Sequence, residues 1–147
     1  MKKLIFYILK MYWKIFRPRT FGVKVVIKHP ELPDCFLLVR HSYGNQAKWN
    51  LPGGGYNPQR ETPYQAAERE VKEELHVPLI NPVIIGEHYS ELQGKRDTIS
   101  ILSGSINDVS SLCLSDEVVE FSWLRFSEVS NNPNVAKIVK VAVGLYK

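Results

Sequence analysis

Between Pro52 and Leu75 the chain changes character twice. Pro52 is followed by Gly53, Gly54 and Gly55. Consecutive glycines reach backbone geometries closed to other residues and let another group approach the chain closely. A little further on stands Thr62-Pro63-Tyr64-Gln65. Thr62 suits an N-cap, Pro63 the first helical position, and Gln65 completes a capping box. A helix therefore begins at about Thr62, directly after a glycine-rich loop, and Pro78 terminates it.

On a helical wheel Tyr64, Ala67, Val71 and Leu75 share one face, expected to pack on a sheet. Glu70, Glu73 and Glu74 fall on the adjacent face at i, i+3 and i+4, with the small Ala66 among them. Arg69 precedes Glu73 by one turn and is placed to hydrogen-bond it. Like charges at this spacing repel by some tenths of a kcal/mol. A solvated acidic face is the plain explanation for a bare E-x-x-E-E. A divalent cation reverses the argument: hard oxygen ligands at this spacing suit Mg²⁺ or Mn²⁺, which share their shell with water and substrate phosphates. Carbonyls of the glycine loop add neutral ligands, Gly54 being the first candidate.

The segment resembles the Nudix box, the signature of the Nudix hydrolase family. Gly55, Glu61, Arg69, Glu70, Val71, Glu73, Glu74 and Val77 match its pattern over residues 55–77, and Trp49, Leu51 and Pro52 also look like the family. One position departs: His76 stands where the family has glycine, the left-handed residue that closes the helix. The resemblance implies an α/β fold, a Nudix-type α/β/α sandwich with a mixed β-sheet.

It also implies a metal-dependent pyrophosphohydrolase that cleaves a diphosphate bond in a nucleoside diphosphate linked to another moiety. By position, Glu70, Glu73 and Glu74 would ligate Mg²⁺ or Mn²⁺. Either Glu70 or a glutamate outside the box would deprotonate or orient the attacking water. Glu117 is the first candidate outside the box, also as a further metal ligand, and Glu120 the second. Arg40, Arg60, Lys95 and Arg96 are candidates for contacts to substrate phosphates. The family's post-box proline of ADP-ribose hydrolases and tyrosine of dinucleoside polyphosphate hydrolases are not found, which favours nucleoside triphosphates or another small nucleotide. Two other readings compete. One is a non-catalytic module that binds a nucleotide derivative; the other is a membrane-associated hydrolase of a lipid or prenyl diphosphate. Clustered carboxylates hold protons until a metal arrives, so activity should rise toward alkaline pH.

The first residues, MKKLIFYILKMYWKIFR, stand apart from this domain. Lys10 interrupts the apolar run, so no stretch approaches the roughly 20 residues needed to span a bilayer. A signal peptide would want a longer apolar run and a small-residue cleavage site. Residues 1–17 read instead as an amphipathic basic helix. Lys3, Lys10, Lys14 and Arg17 lie on one narrow stripe, and apolar side chains cover most of the rest. Docking on its own domain or on a second copy is one reading of this helix, and contact with a membrane surface is the other. Residues 18–147 are then the hydrolase domain.

Strands are expected at Phe21–Lys28, Cys35–Arg40, Val83–Ser90, Thr98–Ile106 and Val118–Leu124, and a C-terminal helix at Asn134–Lys147. Strands mixed with a few helices indicate an α/β or α+β domain. Length agrees, since 147 residues is the size of one domain. The formal net charge of +4 mildly favours polyanionic ligands and is far short of a nucleic-acid arm. Two cysteines, Cys35 and Cys113, make no disulfide framework and are expected as buried, reduced thiols of a cytoplasmic protein, peripheral to the membrane if the first helix binds one. His29, His41 and His88 show no metal-ligand spacing and are expected in surface or packing roles.

Overall fold

A computed structural model describes residues 1–16, 18–42, 48–91 and 94–146. Helix α1 spans Lys2–Phe16, and strands β1 (Arg19–Lys28) and β2 (Cys35–His41) follow. Next come β3 (Gly53–Tyr56), α2 (Pro63–Leu75), β4 (Ile80–Ser90) and β5 (Arg96–Ser105). Strand β6 (Val118–Arg125) and helix α3 (Lys137–Tyr146) complete the chain.

The sheet runs β4-β5-β1-β2-β6, with β3 paired to β1 beside that path. Strands β1 and β5 are parallel, and the other pairs are antiparallel. Buried on both faces, the central strands read as near-continuous apolar runs, as in Cys35-Phe36-Leu37-Leu38-Val39. Alternation then divides the core. Val23, Val25, Ile27, Leu37 and Val39 pack with Ala66, Ala67, Val71 and Leu75 of α2. Val26, Phe36, Leu38 and Ile101 pack with Ile138, Val139, Ala142 and Val143 of α3. The α/β/α sandwich with a mixed sheet is therefore present.

Several expectations need correction. Gly53–Tyr56 is not a loop but a short strand, Phe21 lying opposite Tyr56 and Lys24 opposite Gly53. Glycines have no side chain to alternate, so the strand was invisible to periodicity. Tyr64 is exposed, while Ala66 belongs to the core under α2 rather than to the acidic face. Cys35 is buried but Cys113 is exposed, and both are free thiols.

Helix α2 begins as its sequence requires. The Thr62 hydroxyl accepts from Gln65 N–H, and the Gln65 side chain accepts from Thr62 N–H. It ends at His76, left-handed at φ 60° and ψ 30°, whose N–H donates to the Lys72 carbonyl. The His76 ring also engages the Cys113 carbonyl, 2.6 Å from Nδ1.

Helix α1 joins neither core. Its Lys2 pairs with Glu117 at one end, and Lys95 Nζ sits 3.9 Å from the Trp13 ring centroid at the other. Gly94 touches the helix backbone: a Cβ there would stand 2.7 Å from Lys14 Cα. Among the described residues, no helix is long and apolar enough to cross a membrane.

Candidate functional site

The carboxylates of α2 do not share one environment. Glu74 points inward and is 1% exposed. Its Oε1 accepts from Gly53 N–H at 3.0 Å, and its Oε2 lies 2.7 Å from His41 Nε2. Glu70 is also buried, whereas the Glu73 side chain is half exposed. One turn of helix explains this: positions 70 and 74 face strand β3, and 73 lies on the flank.

Glycine at position 54 admits Glu70. A Cβ there would meet the Glu70 carboxylate at 2.6 Å from Oε1. The missing side chain therefore leaves room for that carboxylate where it lies. Burial, and then the charge of Glu74, push the Glu70 carboxyl up to about 7. Two acids packed this closely in a desolvated setting favour a proton or a cation between them.

Arg69 organises the flank, though not chiefly through Glu73. Its guanidinium makes a two-pronged pair with Glu61, at 2.9 Å from Nε and 2.9 Å from Nη2. Nη1 donates to Glu70 at 2.9 Å, and its bond to Glu73 is the longest of the set at 3.4 Å. Nη2 also donates to the Gly55 carbonyl. The arginine thus ties the segment before α2, the helix and strand β3 together. Its hydrogen bond holds the Glu61 carboxyl below the usual range.

Glu117 reaches the same area from the segment before β6. It lines a groove with Arg69, Lys72, Glu73 and His76, and the first residues of α1 close its edge. The Lys2 ammonium is hydrogen-bonded to Glu117, and Glu73 and Glu70 lie near enough to raise its pKa further. Glu120 sits elsewhere, opposite Arg40 across β2 and β6 and paired with it. Arg40 also stacks on Trp49, its guanidinium carbon 5.4 Å from the ring centroid. Arg60 is exposed in the turn before α2. Arg96 opens β5 opposite Arg19. Lys95 is engaged by the Trp13 ring and by Asp97, 3.9 Å away. The structure therefore links Glu70 and Glu73 through Arg69, sets Glu70 against Gly54 and Glu74 against Gly53, brings Glu117 to the groove lined by Arg69 and Glu73, and pairs Arg40 with Glu120.

Two participants were not anticipated. His41, expected in a surface or packing role, is buried and in addition holds Glu74. The signal was present: Leu37, Val39 and His41 alternate, and the first two face α2. Lys24 donates to the Leu51 carbonyl at 3.2 Å. Burial pushes its pKa down, while Glu74 and Glu70 oppose that shift.

Among the described residues no three His, Cys, Asp or Glu side chains converge on one point. Each acid is instead drawn to a donor: Glu74 to His41 and Gly53, Glu70 to Arg69, Glu117 to Lys2. The set nevertheless fits a hard divalent cation. It is oxygen-rich, Glu70 has a raised proton affinity, and Gly54 keeps the space before that carboxylate free of a side chain.

The NUDIX domain family model matches residues 18–142. A comparison with curated proteins gave no match. The fold is similar to that of the MutT protein from Methanosarcina mazei Go1, with 26% identity over 88% of this chain and 94% of that one, at a TM-score of 0.74. It is also similar to a NUDIX hydrolase from Nitrosomonas europaea, with 24% identity over 87% and 88% of the two chains and a TM-score of 0.70. A C. elegans Ap4A hydrolase shares the fold at 22% identity, 87% and 93% coverage and a TM-score of 0.66.

Proposed function

The chain belongs to the NUDIX family and is a Nudix hydrolase, and from that premise we propose that it cleaves small nucleotides, nucleoside triphosphates foremost, with Mg²⁺ or Mn²⁺ held by Glu70, Glu73, Glu74, Glu117 and the Gly54 carbonyl. One observation carries this reading. Glu70 and Glu74 are buried on the face of α2 turned to Gly53 and Gly54, and buried carboxylates are retained where a charge or a metal ion is needed.

Hydrolysis of a diphosphate asks for in-line placement of water and neutralisation of developing charge. A divalent ion bound to these carboxylates would supply that neutralisation. The protein's own residues do the rest. Glu74 is immobilised by His41 and Gly53 N–H, so its carboxylate costs little to orient. Arg69 fixes the Glu70 carboxylate against β3 and leaves Glu73 on the flank, facing the groove. Glu70, fixed by Arg69 beside the glycines, is the first candidate to orient the attacking water or take its proton. Glu117 faces the groove from the other side and is the second candidate for that role. Among the candidate phosphate contacts, Arg60 is exposed in the turn before α2 and Arg96 at the start of β5. Arg40 is committed to Glu120 and Trp49, and we leave it out of the substrate site.

The test is release of phosphate or pyrophosphate from a panel of nucleotides, nucleotide sugars and prenyl diphosphates with Mg²⁺. Glu70→Gln and Glu74→Gln should each lower turnover by about 10²-fold or more, with the fold retained. Mn²⁺ titration followed by electron spin resonance should show weakened binding in both variants. Near-normal turnover and Mn²⁺ binding in the two variants would overturn the assignment.

A further inference from the structure

Helix α1 presents two faces of opposite fate. Phe6 and Trp13 turn toward the domain and are half-buried, Phe6 edge-on to Trp13 at 6.2 Å. The opposite face carries Leu4, Ile8, Met11 and Ile15 at i, i+4, i+7 and i+11. These are 64%, 59%, 68% and 67% exposed. A row of large apolar side chains held in water is costly, and on folded proteins such a patch marks a contact surface. The row faces away from the domain, and Lys2–Glu117 and Trp13–Lys95 join the two ends of the helix to it.

We propose that this face of α1 docks on an anionic phospholipid bilayer. The charge pattern selects that occupant. Lys3, Lys10 and Lys14 line one flank of the apolar row, and the helix contains no acidic residue. Apolar side chains entering the acyl boundary beside a lysine row at headgroup level is the arrangement of an interfacial helix. At 15 residues α1 measures about 22 Å, too short to span a hydrocarbon core of about 30 Å, so it lies in the surface plane. A second copy fits less well: packed antiparallel about a two-fold axis, it would set one lysine row beside the other with no acid between them. The surface stands independently of the proposed substrate. Since Lys2 and Lys3 border the Glu73–Glu117 groove, docking would hold the site close to the bilayer.

The experiment is co-sedimentation of the full chain with phosphatidylcholine vesicles, with and without a phosphatidylglycerol fraction. Binding is expected on the anionic vesicles and should weaken with added salt. Replacing Lys3, Lys10 and Lys14 together by Gln should weaken it on the order of 100-fold. Ile8→Glu with Met11→Glu should abolish it. Both residues point away from the domain, so an unchanged thermal melt checks that this variant is folded. Failure of the wild-type chain to sediment with anionic vesicles would overturn the proposal. So would undiminished binding by the Ile8→Glu/Met11→Glu protein. A dimer seen by light scattering and split by the same pair of changes would assign the face to a second copy instead.

Discussion

His41 Nε2 lies 2.7 Å from Glu74 Oε2, and both side chains are buried although 33 residues separate them in sequence. The pair joins the end of β2 to the last turn of α2. It fixes the orientation of the innermost carboxylate of the site, while Gly53 N–H takes the other oxygen. His41 is thus a positioning residue, which acts through Glu74.

Removing that partner should be felt in two measurements. His41→Phe leaves one oxygen of Glu74 buried without a donor. Urea denaturation should show a loss of about 1–3 kcal/mol. Mn²⁺ affinity should fall about 10–100-fold, as for loss of a group that orients a ligand. His41→Gln restores an N–H donor and should recover part of both losses. A Phe variant that matches the wild type in metal affinity would show that the contact is only structural.

Neighbouring glycines should answer differently to the same change. Gly53 has φ 146°, and a Cβ there would overlap the Val23 carbonyl across the β1–β3 pair. Gly53→Ala should therefore cost several kcal/mol of stability and yield little folded protein. A Cβ at Gly54 first meets the Glu70 carboxylate, the far end of a side chain, at 2.6 Å from Oε1. Gly54→Ala should fold with a melting temperature near that of the parent, yet lose Mn²⁺ binding and turnover. Equal effects of the two changes on stability would contradict this division.

The pH dependence of stability should carry the mark of Glu70. Its carboxyl, ordinarily at 4.5, is pushed up to about 7, first by burial and then by Glu74. Between those values the folded protein holds a proton that the unfolded chain has released. Stability in metal-free solution therefore falls as pH rises through that window, by up to about 3 kcal/mol. Glu70→Gln removes the titration and should flatten this part of the curve, leaving the variant more stable than the parent at pH 8. Added Mg²⁺ should close that gap by stabilising the parent. Parallel curves for the two proteins from pH 4 to 8 would refute the assignment.

Local signals were legible in the chain itself. The Thr62–Gln65 box, the end of α2 at His76, the glutamate spacing and the strands around Val23–Ile27 and Leu37–Val39 all depend on neighbours within a turn or on alternation. These are interactions that a sequence records directly. The box motif added the family, and with it the sandwich.

What required the folded chain was everything decided by distance through space. Glycines carry no pattern, so β3 emerged only from its pairing with β1. Burial separated Glu70 and Glu74 from Glu73, three residues that the sequence presents as equals. The partner of Arg69 became Glu61 because a turn before the helix brings that acid back beside it, and Arg40 met Glu120 because the two strands pair there. For α1, sequence established an apolar helix with a lysine flank, but only tethers at Glu117 and Lys95 settled which face is turned to water. Periodicity tells which side chains share a face; packing alone tells what that face meets.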